Sequence, residues 1–351
     1  MATKFDAAAY NFRKQCPYIR KDLLRWFPGH MNKGLKQMQR KLSSVDCVIE
    51  VHDARIPFSG RNPIFTTTLT GAKPHILVLN KKDLTINSLI PRIKDQLKAE
   101  QKIENIVFTN SKDQNCRGLK ALRPLMVDLI KGSNRYNRSE ELEYNVMIIG
   151  VPNVGKSSLI NMLRTRNMHI RHALPVGAVA GVTRSVMTKM RINNDPKIFM
   201  FDTPGILEPT VTDVEMGLKL ALCASLQDHL VGEEAIADYL LYWLNKHSKF
   251  KYVDYMGLME PCDDINKVKG FYNSKRIKST YQHGKSHNIN AHILLWLNNC
   301  NNIKAFISHI IHQYVLNPSL NLVILCRSDA CILSLILYPR MLLIHTSLGS
   351  S

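Results

Sequence analysis

Short apolar runs that end in polar loops recur through the first two hundred residues. Residues 45–51 precede Asp53, 76–79 precede Asn80, 106–108 precede Thr109, 146–149 precede Gly150, and 198–201 precede Asp202. Apart from Asp46 and Glu50 in the first, each run is continuously apolar rather than alternating, as expected of strands covered on both faces. Helical patterns fill the intervals over 31–42, 88–100, 118–130 and 157–164. Strand alternating with helix predicts a doubly wound α/β domain on a parallel sheet. In such a sheet the ligand lies beyond the carboxyl ends of the strands, where all five polar loops fall. The polar stretch 131–143 joins two halves of that domain. After Pro209 the pattern becomes helical over 214–226 and 233–244. The second helix carries Ile236, Tyr239, Leu240, Trp243 and Leu244 on one stripe, which predicts a small all-helical domain.

Composition narrows the classes. The 351 residues include 47 Lys+Arg against 28 Asp+Glu, a formal charge of +19 that favours an anionic partner such as nucleic acid. With 45% hydrophobic and 21% charged residues, wholesale disorder, collagen and coiled coil are excluded. Eight cysteines without a Cys-x-x-Cys pair argue against a disulfide scaffold and a zinc site, and point to a reducing compartment. Residues 1–24 form a basic extension that reads equally as a mitochondrial presequence or an ordinary N-terminal arm. The Leu/Ile-rich stretch 330–348 holds Pro339, Arg340 and His345, so no membrane span is expected. Beyond Lys269 the chain has seven Lys/Arg, six His and one acid, Asp329, and no clear periodicity.

The chemistry is concentrated in a few motifs. Gly150-Val-Pro-Asn153-Val154-Gly155-Lys156-Ser157-Ser158 contains G-x-x-x-x-G-K-[ST] between a predicted strand and helix. Its amides can close around phosphate oxygens, Lys156 can reach the β/γ-phosphates and the Ser157 hydroxyl can ligate Mg²⁺. Asp202-Thr-Pro-Gly205 follows another strand, where Asp202 can hold a Mg²⁺ water and the Gly205 amide can sense a γ-phosphate. Thr183, in a Gly/Ala-rich loop between these motifs, can supply a second hydroxyl to Mg²⁺ from a mobile switch. Asn80-Lys81-Lys82-Asp83 selects the base. Asp83 can accept both guanine N–H groups, the Lys81 stem can cover the base face, and Asn80 can tie this loop to the phosphate loop. Asn110 and Ser111 follow the next strand and line the same pocket. These motifs predict a GTP-binding site. A small-molecule P-loop kinase is disfavoured, because the Asn80 loop selects guanine and no acceptor pocket is visible.

Motif order decides the relationship. The guanine motif lies about 70 residues before the phosphate loop, the reverse of an ordinary GTPase. With Trp26-Phe-Pro-Gly-His30-Met and Asp53-Ala-Arg55-Ile-Pro, this order resembles the circularly permuted ribosome-assembly GTPases of the YlqF/RbgA family. Gly217-Leu-Lys-Leu-Ala-Leu-Cys223 and Asp228-His-Leu-Val-Gly-Glu233 are most similar to its mitochondrial branch. The resemblance covers residues 25 to 269, and implies a permuted GTPase domain over 25–208 and an incomplete helical RNA-binding domain over 209–269. The family's C-terminal pattern is not found in residues 270–351. That atypical tail is expected to be disordered or poorly packed, and a read-through or alternative transcript end would account for it.

The resemblance further implies water positioning by His30, K⁺ bound through Asn153, and the large ribosomal subunit and its rRNA as partners. It implies a location in the mitochondrial matrix, peripheral to the inner membrane, and a monomer off the ribosome. Ile206 stands where many GTPases carry a water-orienting glutamine, so slow unaided hydrolysis is expected. Ala180 replaces the family's proline before Gly-x-Thr, which loosens the switch but spares the Thr183 hydroxyl. Lys33, Lys36, Arg40 and Lys41, on the helix after His30, read either as an RNA-phosphate face or as a solvated basic face. The alternative to an enzyme is a GTP-regulated RNA-binding module with little catalysis.

Overall fold

The computed structural model describes residues 5–16, 29–71, 73–135, 138–170, 188–207, 213–256, 258–268 and 270. Thr183, Ala180, Arg25 through Pro28 and residues 271–351 lie outside this set. Six strands form one sheet: β1 (Cys47–Asp53), β2 (His75–Asn80), β3 (Ile106–Phe108), β4 (Tyr144–Ile149), β5 (Thr188–Asn193) and β6 (Ile198–Asp202). The spatial order is β3-β2-β1-β4-β6-β5, parallel except for β5, which runs antiparallel to β6. All seven β1 residues are buried, Glu50, His52 and Asp53 included, so this strand is covered on both faces.

The chain winds outward from β1 to β3 and returns on the other side of β1 at β4. The topological switch point therefore lies between β1 and β4, and the loops after Asp53 and Ile149 open there. Helices α1 (Gly29–Lys41), α3 (Ile90–Gln101), α4 (Arg117–Lys131) and α5 (Lys156–Met168) flank the sheet, with a single turn, α2 (Pro63–Phe65), after β1. Strand β5 is the element the apolar pattern missed. Thr188 and Lys189 are exposed on an edge strand, so no continuous apolar run marks it.

After the sheet come α6 (Val214–Leu222), α7 (Asp228–Val231), α8 (Glu233–Lys246) and α9 (Lys251–Met256). The helix expected over 214–226 stops at Leu222, because the chain turns through Ala224 in a left-handed conformation (φ 58°). Helix α8 is buried nearly all round rather than along one stripe. Part of its cover comes from the N-terminal extension. Arg13 forms an ion pair with Asp238, Tyr242 donates its O–H to the Lys14 carbonyl (3.2 Å), and Phe12 and Tyr10 stack near Phe250. One continuous apolar cluster runs from the sheet through α6 and α8, and a smaller one lies between β2, β3 and α3. No helix among the described residues is long and apolar enough to cross a membrane. Cys16, Cys47, Cys116, Cys223 and Cys262 are free thiols.

Candidate functional site

The phosphate loop runs from the end of β4 into α5. Gly150 (φ 145°) and Gly155 (φ 97°) take conformations that side chains rarely adopt. Space is as tight as the torsions: a Cβ on Gly150 would collide with the Val51 carbonyl, and one on Gly155 with the Asn80 amide. The amino end of α5 thus faces the switch point with unsatisfied amides and the positive end of its dipole, a setting suited to phosphate. Lys156 is buried and donates to the carbonyls of Val151 (2.9 Å) and Gly150 (3.2 Å). Burial lowers its pKa to about 8, with Asp202 acting in the opposite direction.

Ser157 donates its hydroxyl to one oxygen of Asp202 (2.8 Å), and the other oxygen, Oδ1, is buried with no hydrogen-bond partner among the described residues. Burial raises the Asp202 pKa, although the Ser157 hydrogen bond and the Lys156 charge oppose the shift. A desolvated carboxylate beside a hydroxyl, one oxygen unmatched, fits a divalent cation held by oxygen donors. Gly205 follows on the same loop, so close to Pro152 that a Cβ would sit 2.6 Å from its backbone, and the Ile206 amide donates to Gly150 (3.2 Å). The D-x-x-G loop therefore rests directly on the phosphate loop.

Asn80 joins the two halves of the site. Its amide donates to the Val154 carbonyl in the phosphate loop (2.8 Å). Its oxygen accepts from the Thr109 hydroxyl (3.1 Å), the Ser111 hydroxyl (2.9 Å) and the Ser111 amide (3.2 Å). Lys81 adopts a left-handed conformation (φ 61°) and its ammonium lies 3.0 Å from Asp53. Lys82 is held by its amide on the Thr109 carbonyl, and Asp83 is exposed. Ser111 thus belongs to the loop assembly. Asn110 accepts from the Lys112 amide (2.9 Å) and shapes its own turn.

The chain has 60% identity over 258 residues to "Mitochondrial GTPase 1" of Aedes aegypti, covering 73% of this chain and 82% of the relative. "Mitochondrial ribosome-associated GTPase 1" of Xenopus tropicalis is 52% identical over 72% of this chain and 80% of its own length. The chain belongs to the mitochondrial GTPase 1 family. It is accordingly a GTP hydrolase, with GTP as its nucleotide. The family model described as "50S ribosome-binding GTPase" matches residues 145–237, the half that begins at β4 and leaves the Asn80 loop upstream, as the permuted order requires. A solved structure of GNP-bound YlqF from T. maritima is similar with a TM-score of 0.44 and 21% identity, covering 69% of this chain and 92% of that one.

The other candidate residues stand as follows. Asn153 (φ 57°) donates its amide to the Ala224 carbonyl in the turn after α6 (2.9 Å). Val154 is buried and Ser158 half-buried in the first turn of α5. His30 occupies the first turn of α1, and its side chain lies outside the described residues, as does Thr183. One group was missed as a working part of the site. Asp53, fully buried, accepts from Arg55 (2.6 and 2.9 Å) besides meeting Lys81. Burial opposes its charge, but Arg55 and Lys81 outweigh that and hold its pKa far below the usual range. The signal was the Asp53-Ala-Arg55 triplet, read only as a family signature.

Proposed function

We propose that this chain hydrolyses GTP in assembly of the mitochondrial large ribosomal subunit, in the matrix and peripheral to the inner membrane. In this reading GTP state is coupled to ribosome binding through the connection from the Gly205 loop to the α6–α9 helices. The observation that carries the guanine-nucleotide part is the Asn80–Val154 hydrogen bond, which joins the base loop to the phosphate loop in one rigid cradle. The relatives' names support the ribosomal and mitochondrial parts. The boundaries 25–208 for the GTPase domain and 209–269 for an rRNA-binding helical domain belong to the same reading.

The amides of residues 153–158 hold the phosphates, and Lys156 leaves the Gly150 and Val151 carbonyls to meet the β/γ-oxygens. Asp83 accepts the guanine N–H groups while the Lys81 stem, held at its head by Asp53, covers the base. Ser157, Thr183 and Asp202 would hold Mg²⁺, which would supply positive charge against the phosphates. Asn153, whose amide nitrogen is turned to Ala224, would meet K⁺ through its oxygen. His30 positions the attacking water. Packing supports that role: one turn further along α1, a Cβ on Gly34 would lie 2.9 Å from Pro204 of the D-x-x-G loop.

The test is GTP turnover with and without large mitochondrial subunits, in K⁺ and in Na⁺. Slow turnover alone, stimulation by subunits in K⁺, and loss of stimulation in His30→Ala are expected. Subunits that bind but leave turnover unchanged would favour the non-catalytic RNA-binding module instead.

A further inference from the structure

Helix α1 is divided sharply into two faces. Met31, Gly34, Leu35 and Met38 are buried, whereas Lys33, Lys36, Arg40 and Lys41 are exposed. The helix contains no acidic residue, and among the described residues none of these four cations forms an ion pair. By contrast, three of the more buried cations are matched by carboxylates: Arg55 and Lys81 by Asp53, and Arg61 by Glu50. From Lys33 to Lys41 the helix rises about 12 Å, a length over which a nucleic-acid duplex presents about seven phosphates. The buried face of the same helix rests on the D-x-x-G loop, with Gly34 against Pro204 and Ile206, and its first turn carries His30.

We propose that the Lys33, Lys36, Arg40 and Lys41 face of α1 is an RNA-phosphate-binding surface, and that RNA held there stimulates hydrolysis by fixing α1 against the Pro204 loop. The proposal rests on the ribosomal reading above and names the surface that reading lacks. A side chain at position 34 larger than hydrogen would hold the helix off Pro204, so the contact is close enough for a shift of α1 to reach the loop. The face needs no sequence recognition, because phosphate contacts position a helix without reading bases.

The experiment uses the full chain and two probes, a 20-base-pair RNA duplex of arbitrary sequence and purified large mitochondrial subunits. Lys36→Glu/Arg40→Glu is compared with Lys98→Glu/Lys120→Glu, which makes the same charge change at exposed positions on α3 and α4. At about 0.9 log unit of salt slope per phosphate contact, the α1 variant should flatten the duplex-binding slope by about 1.8 and the control should leave it unchanged. The α1 variant should also lose at least tenfold in subunit-stimulated turnover while unaided turnover and GTP affinity stay at the wild-type level. Equal behaviour of the two variants overturns the proposal, as does weakened binding with stimulation intact at saturating subunits. If wild-type protein is not stimulated by subunits, the ribosomal reading itself has failed. The duplex arm then still decides whether α1 binds RNA.

Discussion

Removing Asn80 is the most informative perturbation of the site. Asn80→Ala deletes one donated and three accepted hydrogen bonds, of which those to Val154 and Thr109 are fully buried. At about 1 kcal/mol net for each buried bond, and with the Val154 carbonyl left unmatched, the folded state should lose about 2–4 kcal/mol. The effect on nucleotide is separable, because only the Val154 bond crosses from the base loop to the phosphate loop. Without it GTP must itself hold the two loops in register, at about 1–1.5 kcal/mol, which is about fivefold to tenfold in Kd. Thr109→Val removes a bond on the base-loop side alone; it should cost about 1 kcal/mol of stability while GTP Kd stays within about twofold. Urea unfolding and calorimetric titration with GTP read the two quantities. If Asn80→Ala unfolds more easily yet binds GTP as Thr109→Val does, the bridge is structural only and the reasoning fails.

Three further outcomes follow from the same geometry. Lys156 is a lysine whose folded pKa is lowered to about 8 by burial, so its contribution to stability should improve as pH rises from about 8 toward the unfolded value near 10.4. Phosphate restores its charge, so GTP binding above pH 8 should take up close to one proton, an uptake lost in Lys156→Met and measured by titration in buffers of different ionisation enthalpy. Asp83→Asn removes two charge-assisted acceptors and should cost GTP at least about a hundredfold in affinity while improving xanthosine triphosphate, whose 2-oxo group accepts from an amide; unchanged base preference would place the base elsewhere. Lengthening the 208–212 connector by a few flexible residues should leave GTP affinity intact but weaken the dependence of subunit binding on nucleotide, read by co-sedimentation with GTP analogue and GDP.

What the sequence made legible was whatever depends on local pattern. Four of the five expected parallel strands were placed within two residues, and 106–108 at its observed limits, because strands covered on both faces leave largely apolar runs. Strand β5 was hidden because this edge strand is exposed at its start, at Thr188 and Lys189, and its Thr-Lys-Met-Arg-Ile-Asn sequence has no such run. Helix α6 was drawn four residues too long because Cys223, Ala224 and Leu226 continue an apolar pattern through a turn that the torsion of Ala224 breaks. In the site, Asn80 as a tie to the phosphate loop follows from side-chain chemistry and strand order alone. The partners of Asn153 and Arg55 could not follow from either, since both reach carbonyls in a segment more than seventy or one hundred and sixty residues away.

Those two contacts bear on why the permuted order is useful. The permuted order places α6 next in the chain after the Gly205 loop, with only residues 206 to 213 between them, and in the proposed coupling this connector would carry a change in the loop to the helices. A connector alone would transmit tension but not position. The turn after α6 supplies position: Asn153 of the phosphate loop binds the Ala224 carbonyl, and Arg55, held by Asp53 beside the base-loop lysine Lys81, reaches the carbonyl of Cys223 at 3.4 Å. One turn therefore touches both the phosphate half and the base half of the site. Because Asp53 is fully buried, losing Arg55 would leave its charge to Lys81 alone, so the ion pair holds Arg55 in place. In the proposed coupling Arg55 would be the fixed side of the turn and Asn153 the adjustable one, since Asn153 would also meet K⁺ in that reading. Loss of nucleotide would then release the helices at the phosphate side while Arg55 keeps them registered, a pivot rather than a detachment.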